Sequence, residues 1–594
     1  MSASSAHVET RETAWRLVKP SRMWLALPGI GFLLAFYVWP TLHVMISAVW
    51  SEDKGLGFGA IAAVFSTASY RFVMLNTFVA AFQVTGLCLL ICYPLAIWLS
   101  KHSARQQRLL MMLILLPFWT SALVKNFAWL VLLGRNSVLS SLVTSLGGAG
   151  DRLLFNKSVV LFGIVHTLTP LCVIAMMPTI NQANRSLLSA AATLGASPVQ
   201  AFWRIFVPLT MRGVATSGLM IFITALGFFI TPSLLGSPRE TMIGQLIIEQ
   251  VNELQNLQQG SAFGLILLGG AIIAVVAFDR IFGLSGMADA KSADQSDQFV
   301  RRLGIWLSCR AGDLFDGLLR RSREQIREKS SRVTILGVYC FLVIALLLLP
   351  VFAIVPMAFT SGQFLAFPPP GYSLQWFDTY FASPVWMAAT GRSFVIGGAC
   401  ALLTVLIAVP VAFAIVRSKS RFSGALFLLF MSPMIVPSLV ISIGLFYLFA
   451  QLGLLATDLG LIIGHTVIAT PVVFIIVLST LRGHDWRLDD AALTLGASQR
   501  QTLIRVTLPL IRGGIVAGLI TAFLVSFEEL TIALFIGGGL ITTLPKQLWS
   551  DIFLQVNPTL AAASVVVVGV VTTLFLGLEA INRWRPEEMR SDSH

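Results

Sequence analysis

Charge is scarce in this chain: only 12% of its 594 residues are Asp, Glu, Lys or Arg, while 56% are hydrophobic. So little polar surface excludes an ordinary soluble globule of this length, and it excludes a disordered chain as well. Acids are the scarcer sign, 28 against 41 basic residues, which leaves a formal charge of +13. The basic residues are spread over many short loops, so anionic lipid is a fitting partner and nucleic acid is not. No Gly-x-x-x-x-Gly-Lys-Ser/Thr run occurs, so the chain lacks the usual backbone cradle for ATP phosphates. It also lacks a Ser-His-Asp arrangement, a two-His metal spacing and a zinc-like cysteine pair, which leaves no metal site and no catalytic group to name. Cys88, Cys92, Cys172, Cys340 and Cys400 lie in apolar runs and Cys309 in a basic stretch, as expected of small packing residues. The tail before Trp24 has no apolar run ending in a small-residue cleavage site, so a retained first span is expected.

Long hydrophobic runs are what the chain has in excess. Stretches at 24–49, 72–100, 109–133, 159–180, 213–236, 261–283, 333–359, 393–416, 425–451, 459–480, 513–537 and 559–582 each approach or exceed the roughly 20 residues that cross a bilayer. The expected fold is an all-α polytopic membrane protein with about twelve spans, six on each side of a polar centre. The units are a tail at 1–23, a first membrane domain at 24–284, a basic linker at 285–332, a second membrane domain at 333–583 and a tail at 584–594. Within the linker, Phe299, Leu303, Trp306 and Leu307 recur beside arginines at helical spacing, which fits an interfacial helix or a solvated spacer equally well. With both termini on the cytoplasmic side, about three-quarters of the Lys and Arg fall inside, including Lys101, Arg105 and Arg108 after the second span.

One short phrase is written twice. Ser189-Ala190-Ala191-Ala-Thr-Leu-Gly195-Ala-Ser197 is matched by Asp490-Ala491-Ala492-Leu-Thr-Leu-Gly496-Ala-Ser498, and Pro208 and Pro509 follow at the same 301-residue offset. His166-Thr167 with Pro170 is echoed by His465-Thr466 with Pro471. The phrase reads as a helix, a glycine break and a second short helix: alanines favour the first, Gly195 or Gly496 accepts left-handed backbone, and Ser197 or Ser498 caps the second. Parallel duplication places a solute path between the halves and puts both loops on one side of the membrane, the cytoplasmic side by the charge rule.

The paired Ala-Ala, Gly and Pro-Leu pattern resembles the "EAA" coupling loop of permease subunits of bacterial ATP-binding-cassette importers, in the fused form where one chain supplies both membrane halves. Pro117-Phe-Trp119-Thr-Ser121 with Ala128-Trp129 resembles the first permease of polyamine-type importers, and Ser526-Phe-Glu528-Glu529 with Thr543-Leu-Pro545 the second. The resemblance implies a type I importer permease fold in the bacterial inner membrane, a periplasmic binding protein that delivers a small solute, and alternating access. It implies two ATPase subunits, identical or paired, that use ATP and Mg and dock on Ser189–Pro208 and Asp490–Pro509. It implies that the chain itself binds no cofactor and is not an enzyme. Ser189 departs from the family acid that Asp490 nearly keeps. Iron, opine and aminophosphonate importers share much of the pattern, so the solute class stays open between these and a polyamine-like cation.

Glu528 and Glu529 stand adjacent inside the eleventh run. A carboxylate in mid-bilayer costs roughly 2.5–3.5 kcal/mol on insertion scales, so a solute-binding role is one reading of them. Pairing with Lys125, Arg135 or Arg392 is the structural reading, and a proton-coupled carrier using these acids is the reading from another class. Trp119 is a path candidate because a desolvated cation–π contact is worth roughly 0.5–2 kcal/mol, whereas most of the other tryptophans suit interface anchoring. His166 and His465 fit either helix packing or the path.

Overall fold

The computed structural model describes residues 22–51, 55–135, 137–148, 150, 153–282, 310, 329–418, 422–539, 541–554 and 557–583. Apolar runs in lipid leave the backbone no water to bond, so each closes its hydrogen bonds within a helix. Among the described residues, nine uninterrupted helices are long and apolar enough to cross, including Met23–Ser47, Ala68–Leu99, Lys157–Gln182, Pro384–Arg417 and Asp458–Arg482. Every apolar run of the sequence falls on one of these nine, on one of two bent helix pairs, or on the apolar helix Thr559–Leu574. A two-stranded antiparallel ladder, Trp50–Ser51 with Gly55–Leu56, follows the first span and is a small addition to the all-α expectation. Most of the linker, open between an interfacial helix and a solvated spacer, and nearly all of both tails lie outside the described residues.

Four of the expected spans are not straight helices. The third is Ala104–Phe118 and Ala122–Leu132, bent by 83°, and the ninth is Ser423–Met434 and Ser438–Leu452, bent by 94°. Pro117 sits at the first bend, and Ser121 restarts the chain by accepting from the Leu123 N–H at 3.2 Å. Pro433 and Pro437 sit at the second bend, where a missing N–H prevents the helix from running on. The fifth span stops at Leu226 and resumes as the short helix Ile230–Leu235. The eleventh stops at Phe527 and resumes as Thr531–Ile536.

Duplication persists at atomic detail. Phe155 and Ala456 both take left-handed backbone, at φ of 61° and 52°, and donate to the carbonyls of Leu235 and Ile536 at 3.0 and 2.8 Å. The offset between these partners is again 301 residues. A Cβ at Gly213 would collide with Thr179, and one at Gly514 would collide with Thr480. The helices that enter and leave each repeated loop therefore pack a glycine against a threonine side chain, the close approach that small residues permit in membranes.

The halves also interlock. A Cβ on Gly29, in the first span, would meet Val411 at 2.8 Å and Phe430 at 2.9 Å in the other half. The Tyr339 hydroxyl, in the seventh span, donates to the Ile91 carbonyl of the first half at 3.2 Å. Each half thus lends its first span to its twin. The bent helix Ala122–Leu132 joins a buried cluster that includes Met357, Phe527, Leu544 and Ala561 of the second half.

Candidate functional site: paired loops and an acidic break between the halves

The repeated loops have one geometry. Ser186–Thr193 and Arg487–Thr494 are the loop helices, ended by Gly195 at φ +86° and Gly496 at φ +89°. Ser197 and Ser498 then form capping boxes with Gln200 and Gln501, in which each serine N–H donates to the glutamine Oε1 at 3.0 and 2.8 Å. A short helix and a wide turn come next, Phe202–Phe206 in one copy and Leu503–Thr507 in the other, before Pro208 and Pro509 enter the next spans. The helix, glycine and capped-helix pattern expected from the sequence is present in both copies.

The faces of these loops are open. Ser189, Ala190, Asp490 and Ala491 are exposed, and Ala191 and Ala492 are half-buried. Open space surrounds the positions that a Cβ would take on Gly195 and Gly496. Leu194 is 89% exposed and Leu495 is 88% exposed, just before the glycines, with Leu187 and Leu488 also open one helix length earlier. Fully burying one leucine contributes roughly 1.5–3 kcal/mol, so contact with a partner at these two projecting pairs would be stabilising. Sequence reasoning misses these leucines, although their equal offset is an available signal.

Glu528 and Glu529 are not on a continuous helix. They form the break after Phe527, so the 100° separation of neighbours on a helix does not govern them. Glu529 is a cap: its Oε2 accepts the Ile532 N–H at 2.7 Å at the start of Thr531–Ile536. His465 stands behind it, with Nε2 3.7 Å from that oxygen and Nδ1 2.7 Å from the Ser526 hydroxyl. Glu528 has no such employment, since its buried Oε1 has no hydrogen-bond partner among the described residues. A buried oxygen without a protein partner is costly, and one that is retained calls for an occupant such as a solute, an ion or water.

Lys125, from the bent third span of the other half, lies within electrostatic range of Glu528. Lys125 is 3% exposed, and its Nζ donates to the Pro117 carbonyl at 2.7 Å across the bend. Arg392 instead pairs with Asp458 at 3.0 Å, and Arg135 is exposed. Trp119 ends the first arm of the same bend, with its buried Nε1 unpartnered among the described residues. Asn126, beside Lys125, has a buried Oδ1 in the same condition, which sequence reasoning does not single out.

The two histidines are not equivalent. Under the 301-residue offset they fall two positions out of register, and they face different ways. His166 Nε2 lies 3.2 Å from the Leu346 carbonyl in the second half, its Nδ1 is unpartnered among the described residues, and its ring stands edge-on to Trp129 at 5.4 Å. The structure therefore gathers Trp119, Lys125 and Glu528 at one seam between halves, with His166 in the electrostatic reach of Lys125. His465 and Glu529 belong to a separate cluster inside the second half.

The family of binding-protein-dependent transport system inner membrane components matches residues 93–284 and again 404–584, more than half of the chain. A spermidine/putrescine transport system permease protein PotB of Haemophilus influenzae is 31% identical over 255 residues, which cover 41% of this chain and 89% of that protein. The putrescine transport system permease protein PotI of Escherichia coli is 30% identical over 209 residues, 34% of this chain and 74% of that protein. A chain of the solved bacterial alginate ABC transporter, in complex with a pentasaccharide-bound periplasmic protein, aligns over 44% of this chain and 94% of its own at 18% identity, with a TM-score of 0.36. Matched once in each half, and repeating its loop geometry at a constant offset, the chain belongs to the family of inner membrane components of binding-protein-dependent transport systems.

Proposed function

We propose that this chain supplies both halves of the membrane pathway of an ATP-driven importer, receiving a small polyamine-like cation from a periplasmic binding protein and releasing it to the cytoplasm by alternating access. The observation that carries the reading is the pair of geometrically equivalent loops, each presenting an open alanine face and a projecting leucine, Leu194 or Leu495. Two equal sockets on a pair of ATPase subunits would take them, with ATP and Mg bound by those subunits. The distribution of Lys and Arg supports a cytoplasmic location for both loops and both termini.

The solute class rests on chemistry at the seam and on the relatives. Glu528 offers a carboxylate oxygen that no described residue occupies, and an ammonium group is its natural complement. Relatives matched in this chain carry spermidine/putrescine or putrescine transport in their names. In the cycle we envisage, ATP draws the two ATPases together, the loops move with them, and the bent helices at Pro117 and Pro437 open the seam toward the binding protein. Hydrolysis then reverses the motion. The chain performs no bond chemistry of its own.

Replacing both Leu194 and Leu495 with Asp tests the docking assignment, because two charges cannot enter an apolar socket unpaired. The expected result is loss of co-purifying ATPase from detergent-extracted complex while the permease itself remains folded. Retention of both ATPase subunits by the double variant would remove the loops from that role.

A further inference from the structure

The repeated loops share a backbone but are tied down differently. In the second copy the Asp489 side chain turns inward from the loop helix and is 5% exposed. Both of its oxygens are occupied: Oδ2 lies 2.5 Å from His484 Nε2, and Oδ1 accepts from the Thr507 hydroxyl at 2.5 Å. His484 follows the end of the tenth span at Arg482, and Thr507 closes the wide turn that enters the eleventh. One carboxylate thus joins the end of one span, the loop helix and the start of the next. Trp486 stands edge-on to His484 at 4.7 Å and lies under the Arg417 guanidinium at 4.6 Å, which ties the same point to the end of the eighth span.

At the 301-residue offset the first copy has Ala183, Leu188 and Phe206 in place of His484, Asp489 and Thr507. All three are at least half-buried and apolar, and they pack into the core. Apolar contact holds by area and has no preferred direction, so it lets elements slide. Hydrogen bonds to a carboxylate are directional, and a buried network in which both carboxylate oxygens are engaged is stiff. The stiff loop belongs to the half whose eleventh span ends at Glu528 and Glu529.

We infer that His484, Asp489 and Thr507 form a brace that makes the second loop the rigid transmitter, carrying displacement of its loop helix into the eleventh span and on to the acidic break. The first loop, tied by the Arg185 guanidinium to the Ser100 carbonyl at 2.6 Å and packed by Leu188 and Phe206 in place of the brace, then docks as the more compliant partner. These are positioning residues, touching neither solute nor nucleotide. The inference rests on the reading that the loops receive motion from ATPase subunits.

The test uses the full chain assembled with its ATPases and binding protein in proteoliposomes, and reads solute moved per ATP hydrolysed. Thr507→Val keeps the shape and removes the hydroxyl, whereas Thr507→Ser keeps the hydroxyl. The expected result is a ratio about tenfold or more lower for T507V, of the size of one lost charge-assisted hydrogen bond, and near the wild-type value for T507S. Assembly and the KM for solute should be unchanged in both. A wild-type ratio in assembled T507V, or an equal loss in T507S, overturns the brace. Absence of ATP-driven uptake by the wild-type complex would instead overturn the reading beneath it.

Discussion

Glu528 and Glu529 are neighbours in sequence with different employment. Glu529 is engaged by the Ile532 N–H and backed by His465, whereas one oxygen of Glu528 is buried and unpartnered among the described residues, within electrostatic range of Lys125. Replacing Glu529 with Gln should therefore act on stability, costing about 1 kcal/mol in a thermal-unfolding assay of the complex, as loss of a capping carboxylate does. Glu528→Gln should lower kcat/KM for a cationic solute by about 10-fold or more, measured as initial uptake, because it removes a charged hydrogen-bond partner. Equal effects of the two substitutions would erase the distinction. That these acids matter is legible from their placement in an apolar run. Their division of labour is not, because Ser-Phe-Glu-Glu-Leu continues a hydrophobic pattern and gives no sign that the helix stops at Phe527. His465, which meets both Ser526 and Glu529 at the stop, lies in another span.

At the scale of elements, the loops are the most legible feature. Alanine-rich helix, glycine and capping serine are local signals, and each acts within a few residues of itself. Gly195 and Gly496 face open space, so a side chain there meets no obstacle and the backbone alone resists it. Replacing both with Val should strain each turn by about 1–2 kcal/mol and tilt the loop helices. ATP hydrolysis should then persist while uptake falls several-fold; unchanged coupling in the double variant would deny the turns any role in transmission. Less legible are the bends at Pro117 and Pro437. A proline marks where a helix can break, but angles of 83° and 94° are set by the neighbours each arm meets.

Across the whole molecule, duplication in sequence becomes an exchange of first spans in space. Gly29 lies where Val411 and Phe430 approach closely, and a Cβ on Gly444 would stand 2.6 Å from the Pro40 carbonyl oxygen. Gly29→Leu should overpack that crossing, costing about 1–3 kcal/mol and lowering the unfolding temperature of the whole chain rather than of one half. No periodicity announces such an exchange, since a span that packs on its own half and one that packs on the other read alike. The asymmetry of the seam has the same origin. A Cβ on Gly227 would meet Pro437 at 3.6 Å at one break, while Glu528 lies within electrostatic range of Lys125 at the other, so equal scaffolds present unequal chemistry.

The central claim is that this chain carries a small cation only when ATPase subunits drive its two loops. Uptake of labelled spermidine into proteoliposomes, with ATPases, binding protein and ATP supplied or withheld one at a time, tests it most directly. Accumulation is expected only when all are present, with no response to an imposed proton gradient. Accumulation driven by a proton gradient in vesicles that contain the chain alone would contradict it.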